Sequence, residues 1–163
     1  MGFDAFLEIE GVKGESTDDK HKGWIEIQSF SHGMSQPISS TVSSSGGAAA
    51  GRVNMQDFSV VKFLDSASPE LAKLCCTGRH VPKVTVELWR AGGEKVKYME
   101  YLMENVMVSS VRPGGTSNGG EDLPLEEVSF NFGKMEWKYY PQDRAKGSAS
   151  GHVGFKWDLQ ANK

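Results

Sequence analysis

Gly46, Gly51 and Arg52, in the stretch SSSGGAAAGRVNMQDF at residues 43–58, stand two substitutions away from a phosphate-binding loop. That loop needs a lysine where Arg52 stands, to reach the β- and γ-phosphates, and a hydroxyl where Val53 stands, to hold Mg²⁺. Arg52 keeps the charge without the lysine's compact reach, and Val53 offers no oxygen. The motif must also lead from a strand into the N-terminus of a helix, whereas the following VNMQDFSVVKFL reads as strand. No nucleotide site is expected.

The remaining chemistry-bearing residues are equally unpromising for catalysis. His21, His32, His80 and His152 are scattered, with no helical or finger-like spacing. Glu15, Asp18 and Asp19 lack the ligand spacing and central glycine of a calcium loop. They read as a solvated acidic turn, and Glu121-Asp122 reads as turn chemistry after Gly119-Gly120. No metal and no cofactor are expected. Cys75 or Cys76 with His80 is the one nucleophile–base set close in sequence. Adjacent cysteines do not build a disulfide framework, and Cys75 falls on the apolar stripe of a predicted helix, so both read as reduced structural thiols. No catalytic residue is expected, and the chain does not read as an enzyme.

The elements that must position these residues are mostly strands. Phe3, Ala5, Leu7 and Ile9 alternate with polar residues, as do Ile25 and Ile27, then Val84, Val86 and Leu88, then Val153, Phe155, Trp157 and Leu159. Alternation of this kind is the period of a half-buried strand. Gly92-Gly93 between KVTVELWRA and EKVKYMEYLMENVMVSS signals a hairpin. In LEEVSFNFGKMEWKYY, Val128, Phe130 and Phe132 share one phase and Met135, Trp137 and Tyr139 the other. The slip at Gly133-Lys134 predicts a β-bulge with one extra residue.

One helix interrupts this pattern. SPELAKLCCTG offers Ser68 as N-cap, Pro69 at the first helical position, Glu70 in the first turn and Gly78 as the stop. Leu71, Leu74 and Cys75 form its packing stripe. The predicted fold is mainly β, a barrel or double sheet with one short helix alongside. Long glycine-rich loops cover residues 11–22, 35–52, 112–122 and 141–151. Strand 95–108 carries apolar residues on two faces: Val96, Tyr98, Leu102, Val106 and Val108 on one, Met99, Tyr101, Met103 and Met107 on the other. Cover on both sides is therefore expected, from the helix or from a second subunit.

At 163 residues the chain has the length of one domain, 1–163, and a domain of that size buries roughly 70% of its unfolded surface without disulfide or metal. The formal charge of −3 argues against a nucleic-acid partner, which calls for a basic patch or stripe. No apolar run approaches the length of a membrane span, so no membrane insertion is expected. MGFDAFLEIE has neither the basic nor the apolar region of a signal peptide, which places the chain in the cytoplasm.

Several stretches together resemble the haemolysin-coregulated protein (Hcp) family, the tube component of type VI secretion systems. They are DAFLEIEGVKGESTDDKHKGWIEIQSFSHGMSQ, GRVNMQDFSVVKFLDSASPELAKLCCTGRHVP, RAGGEKVKYMEYLMENVMVSSVRPGG, GGEDLPLEEVSFNFGKMEWKYYPQD and GFKWDL, in that order. The resemblance implies a barrel-like double sheet related to phage tail tubes, assembled as homo-hexameric rings that stack into a hollow tube. It also implies a spike protein, a contractile sheath and small effector proteins as partners, with release from the cytoplasm to the medium without a signal peptide. The chain's stop at Lys163 leaves no room for the toxic extension some members carry.

Under that resemblance the 35–52 loop, with Ser45, Gly46, Gly47, Ala48, Gly51 and Arg52, is the expected contact between rings. Met99, Tyr101 and Met103 are the expected subunit interface, and Gln28, Phe30 and Ser31 the expected lumen residues. The reading that competes with a ring is a monomeric small-ligand-binding β-barrel, which would enclose an apolar cavity.

Overall fold

A computed structural model of the chain describes residues 2–37, 51–92, 95–117, 123–141 and 151–163. The elements are β1 Phe3–Ile9, β2 Ile25–Ile27, β3 Ser29–Ser31, β4 Met34–Ser35, β5 Asn54–Met55 and β6 Phe58–Phe63, then helix α1 Ser68–Thr77. They continue as β7 Val81–Arg90, β8 Lys97–Gly114, β9 Leu125–Tyr139 and β10 Val153–Asp158. The main sheet runs β2-β1-β7-β8-β9-β6-β3, antiparallel throughout, with β10 added to β9.

The two ends of that sheet are one segment of chain. β2 pairs with β1 and β3 pairs with β6, and only Gln28 separates them. The Gln28 N–H bonds to the Val61 carbonyl at 2.7 Å, so the kinked segment closes the sheet into a barrel. Closure removes the free edges that an open sheet exposes.

The barrel interior is filled rather than hollow. Leu7, Ile9, Ile25, Phe58, Val60, Val84, Val86, Met103, Val106, Val128, Phe130 and Met135 are all buried there. Leu71 of α1 joins the same cluster, and Leu74 and Cys75 pack partly against it. The helix stops at Gly78, whose left-handed φ of 64° lets its N–H return to the Leu74 carbonyl at 3.1 Å. The expected N-cap is corrected: Ala67 holds that position with no side-chain cap. The Ser68 hydroxyl instead accepts from the Asp65 N–H and donates to Glu126.

The slip at Gly133 is present, but not as the expected extra residue. Pairing between β8 and β9 runs in constant register from Met99↔Tyr139 to Val108↔Phe130, straight past Gly133. Both strands change phase together. On β9 the buried row passes from Met135 to Phe132, and on β8 from Met103 to Val106. The cause is Asn105, whose φ of 53° is left-handed and which sits opposite Gly133. A Cβ on residue 133 would lie 3.2 Å from Asn105 Nδ2, which is why a glycine faces it.

This paired slip corrects the two-sided reading of strand 95–108. Met99, Tyr101 and Met103 belong to the core row that Val106 and Val108 continue, so one face of β8 is core throughout. Met103 is fully enclosed by its own chain and is not a subunit contact; Met99 and Tyr101 are partly buried against the same core.

Candidate interaction surface

Beyond the slip, β9 exchanges partners. β6 pairs with residues 125–130 and β10 with residues 134–139. The core row therefore runs out of the barrel along three cross-strand lines: Val84–Met103–Met135–Trp157, Val86–Tyr101–Trp137–Phe155 and Leu88–Met99–Tyr139–Val153. At the β10 end no described residue covers them. Val153 is 67% exposed, Phe155 57% and Tyr139 47%. Trp137, Phe155 and Trp157 form an aromatic stack with centroids 5.5 Å and 6.1 Å apart.

A second apolar patch lies at the opposite end of β9. Phe63 pairs with Leu125, the Leu64 N–H bonds to the Pro124 carbonyl, and Phe63, Leu64, Leu123 and Leu125 are all exposed. Leu125 alternates with the buried Glu126 and Val128, so this patch faces outward while the β10 patch continues the inward row. The two ends of this 15-residue strand are separated by about 45 Å of contour at the usual rise per residue.

One cluster of charged and aromatic groups is enclosed around His21. His21, 2% exposed, lies flat on Phe6 at 4.0 Å and edge-on to Trp24 and Trp89. Its Nδ1 is 2.7 Å from Asp18 and its Nε2 is 2.7 Å from Glu87. The Trp89 Nε1–H donates to the same Glu87 oxygen at 2.8 Å. Asp18 thus departs from the expected solvated turn: it fastens the 10–24 connection to the barrel. Hydrogen bonds from Lys95 and then His21 hold its carboxyl at about 2, below the usual value.

A depressed carboxyl contributes stability that is complete above the unfolded value near 3.8 and lost as pH falls through about 2. The urea-unfolding midpoints of wild type and Asp18→Asn are therefore expected to differ most above pH 4 and to converge toward pH 2. A gap that stays constant over that window would remove Asp18 from the account.

The sequence-expected sites fall as follows. Ser45, Gly46, Gly47 and Ala48 lie outside the described residues. Gly51 and Arg52 sit at the base of that loop, where the Gly51 N–H bonds to the Pro37 carbonyl at 3.3 Å. Arg52 is exposed and donates to the Leu159 and Gln160 carbonyls of its own chain at 3.2 and 3.4 Å, which tethers the base of the loop to the end of β10. Gln28 and Ser31 are exposed. Phe30 is corrected from the lumen to the core: the kink at Gln28 flips the alternation, and its ring packs on Phe58, Tyr101 and Phe3.

His80 is occupied by Asn105 at 2.9 Å, and Cys75 is partly buried on the packing stripe while Cys76 is exposed. Gly115 to Gly119 spells a serine-elbow pattern, Gly-Thr-Ser-Asn-Gly. It connects β8 to β9, two antiparallel strands, where an elbow needs a strand followed by a helix. Among the described residues no group of three His, Cys, Asp or Glu side chains is arranged to hold a metal ion, and no helix is long and apolar enough to cross a membrane.

Comparison with known proteins is consistent along the chain. The profile of the family described as "Type VI secretion system effector, Hcp" matches residues 6–139. Protein hcp1 of Pseudomonas aeruginosa is 39% identical over 163 residues, which is 99% of this chain and 98% of that protein. The solved structure of a type six secretion system protein superposes with a TM-score of 0.92 at 35% identity, covering 99% of both chains. Hcp1 from Salmonella typhimurium superposes at 0.78 with 30% identity, covering 100% of this chain and 99% of that one.

Proposed function

The chain belongs to the Hcp family of type VI secretion proteins, and on that premise we propose that it is a structural subunit that closes into hexameric rings and stacks them into a hollow tube. The observation that carries the reading is the pair of exposed apolar patches at opposite ends and on opposite faces of β9. A patch that met its own copy would give a two-fold dimer. Two different patches, each meeting the other on the next copy, give a head-to-tail interface that closes into a ring when the rotation permits. Small effector proteins then pass or ride in the lumen, with Gln28 and Ser31 as exposed polar positions available to line it. The spike and the contractile sheath are the partners outside the ring, and the subunit leaves the cytoplasm with the tube rather than by a signal peptide. No catalytic step is assigned to it.

The competing reading, a monomeric ligand-binding barrel, needs an enclosed apolar cavity, and the space inside this barrel is taken by Phe58, Phe130, Met103 and Met135. Gel filtration with light scattering at micromolar concentration separates the two. The ring predicts a sixfold mass, and a monomer overturns it.

The stretch above Gly51 and Arg52 serves contact between rings in this reading. Deleting residues 43–51 is expected to leave the hexamer intact and to abolish long tubes in electron micrographs. Unchanged tubes, or loss of the β signal in circular dichroism, would contradict that assignment.

A further inference from the structure

His32 sits where the chain leaves the barrel for the β4–β5 arm, directly after β3 and before β4; the chain returns through Gln56 and Asp57 into β6. Its ring packs among Phe58, Phe132 and Trp137, with centroids 5.5, 5.7 and 6.2 Å away. Both ring nitrogens are enclosed, and neither has a hydrogen-bond partner. Buried polar atoms without partners are rare and costly. A neutral imidazole tolerates such a site as a flat aromatic filler. An imidazolium brings two donors and a charge to a pocket walled by aromatic rings, with the Gln56 backbone as the acceptor at hand.

The surroundings supply no counter-charge. On β6 side the adjacent carboxylate, Asp57, is taken up by the Ser109 hydroxyl at 2.6 Å and the Asn131 amide at 3.0 Å. On β9, Lys134, Glu136 and Lys138 alternate with Trp137 and so occupy the other face. On β8 the titratable member of the aromatic cluster is Tyr101, whose hydroxyl burial pushes upward and thereby keeps neutral.

The arm's other moorings are few. The Gln56 N–H bonds to the Gly33 carbonyl at 2.9 Å and ties the arm's two legs together, while Met55, packed partly on the core, and Arg52, donating to the Leu159 and Gln160 carbonyls, hold the arm to the rest of the chain. The cheapest way to hydrate a charged ring here is to swing out His32 and Gly33, with the arm they carry, and leave the closed barrel in place.

We propose that His32 is an acid-released pin: taking up a proton expels its ring from the aromatic pocket and frees the β4–β5 arm from an otherwise intact barrel. Burial lowers the proton affinity of the ring below the ordinary histidine value of 6.5, and the smaller, opposite pull of the Gln56 backbone does not offset it. The sign follows. The arm's seat is complete above pH 6.5 and weakens as pH falls toward the lowered folded value. If the arm carries contact between rings, the same protonation weakens stacking; that consequence rests on the tube reading, whereas the pin does not.

Hydrogen–deuterium exchange of the intact protein tests it between pH 7.5 and 4.5, with rates corrected for intrinsic pH dependence. In the wild type, residues 32–37 and 51–57 are expected to lose protection by up to about tenfold per pH unit between pH 6.5 and the lowered folded value, levelling off below it, while β1, β3 and β7 stay protected. His32→Phe fills the pocket without a titrating group and keeps His21, His80 and His152, so its arm is expected to show less than about a twofold change over the same range. Should that variant fold poorly, the wild-type ring itself reports: its imidazole ¹⁵N signals must titrate in step with arm exchange. An arm that stays protected to pH 4.5, or a His32→Phe arm released like the wild type, overturns the proposal.

Discussion

Phe155→Asp is expected to convert assembled rings into folded monomers. Phe155 is 57% exposed and stacks on Trp137 at the outer end of a row that begins in the barrel core. In the free subunit an aspartate there meets water and loses the two stacking contacts with Trp137 and Trp157. At an interface it is desolvated without a partner, at the centre of an aromatic cluster where single residues commonly carry 2 kcal/mol or more of binding. Light scattering should therefore show monomer mass, while circular dichroism and the thermal transition stay close to wild type. Met103→Asp supplies the contrast from the inner end of the sheet: its side chain is fully enclosed, so a carboxylate there is expected to unfold the subunit. A Phe155→Asp protein that keeps its oligomeric mass would remove the β10 patch from the interface.

The second large effect concerns stability. Lys62 is entirely buried, and its ammonium reaches Glu126 at 2.7 Å, Asp65 at 2.9 Å, the Phe63 carbonyl at 3.1 Å and the Ser68 hydroxyl at 3.2 Å. Glu126 also accepts from Ser68, so one cluster ties β6, β9 and the first turn of α1. Lys62→Met leaves the Glu126 carboxylate buried without its cation, which is expected to cost about 3–5 kcal/mol. Lys62→Met combined with Glu126→Leu removes both charges and is expected to recover most of that loss, because Asp65 remains near enough to solvent to stay hydrated and still accepts from the Ala67 N–H at 3.0 Å. Urea unfolding of the two single variants and the double variant measures the coupling. Single variants within about 1 kcal/mol of wild type would show that the cluster contributes little beyond packing.

Several of these features are visible in the chain once the right question is put to it. In FSVVKF, Phe58, Val60 and Lys62 share the buried phase, and Glu126 precedes Val128 and Phe130 in the buried phase of its own strand. Two opposite charges on core rows signal a buried pair, but which strands bring them together is a matter of register, here Lys62↔Glu126 across 64 residues. Asn105 amid the apolar run of β8 likewise hints at a left-handed residue. Read as simple alternation, that strand shows two apolar faces; read with a slip at Asn105, it shows one.

The local elements were legible along the chain: period-two alternation made β1, β7 and β10, and Pro69 with Gly78 bounded α1, because these signals act between residues close together in sequence. The sequence also carried enough ordered motif to place the family. Tertiary structure alone decided the rest. It closed the barrel through the kink at Gln28, turned Phe30 and Met103 into the core, enclosed His21 between two carboxylates, and left Phe155 and Val153 exposed where β9 changes partner. Each of these depends on which distant strand lies alongside, and burial is a property of that pairing, which alternation along one strand cannot specify.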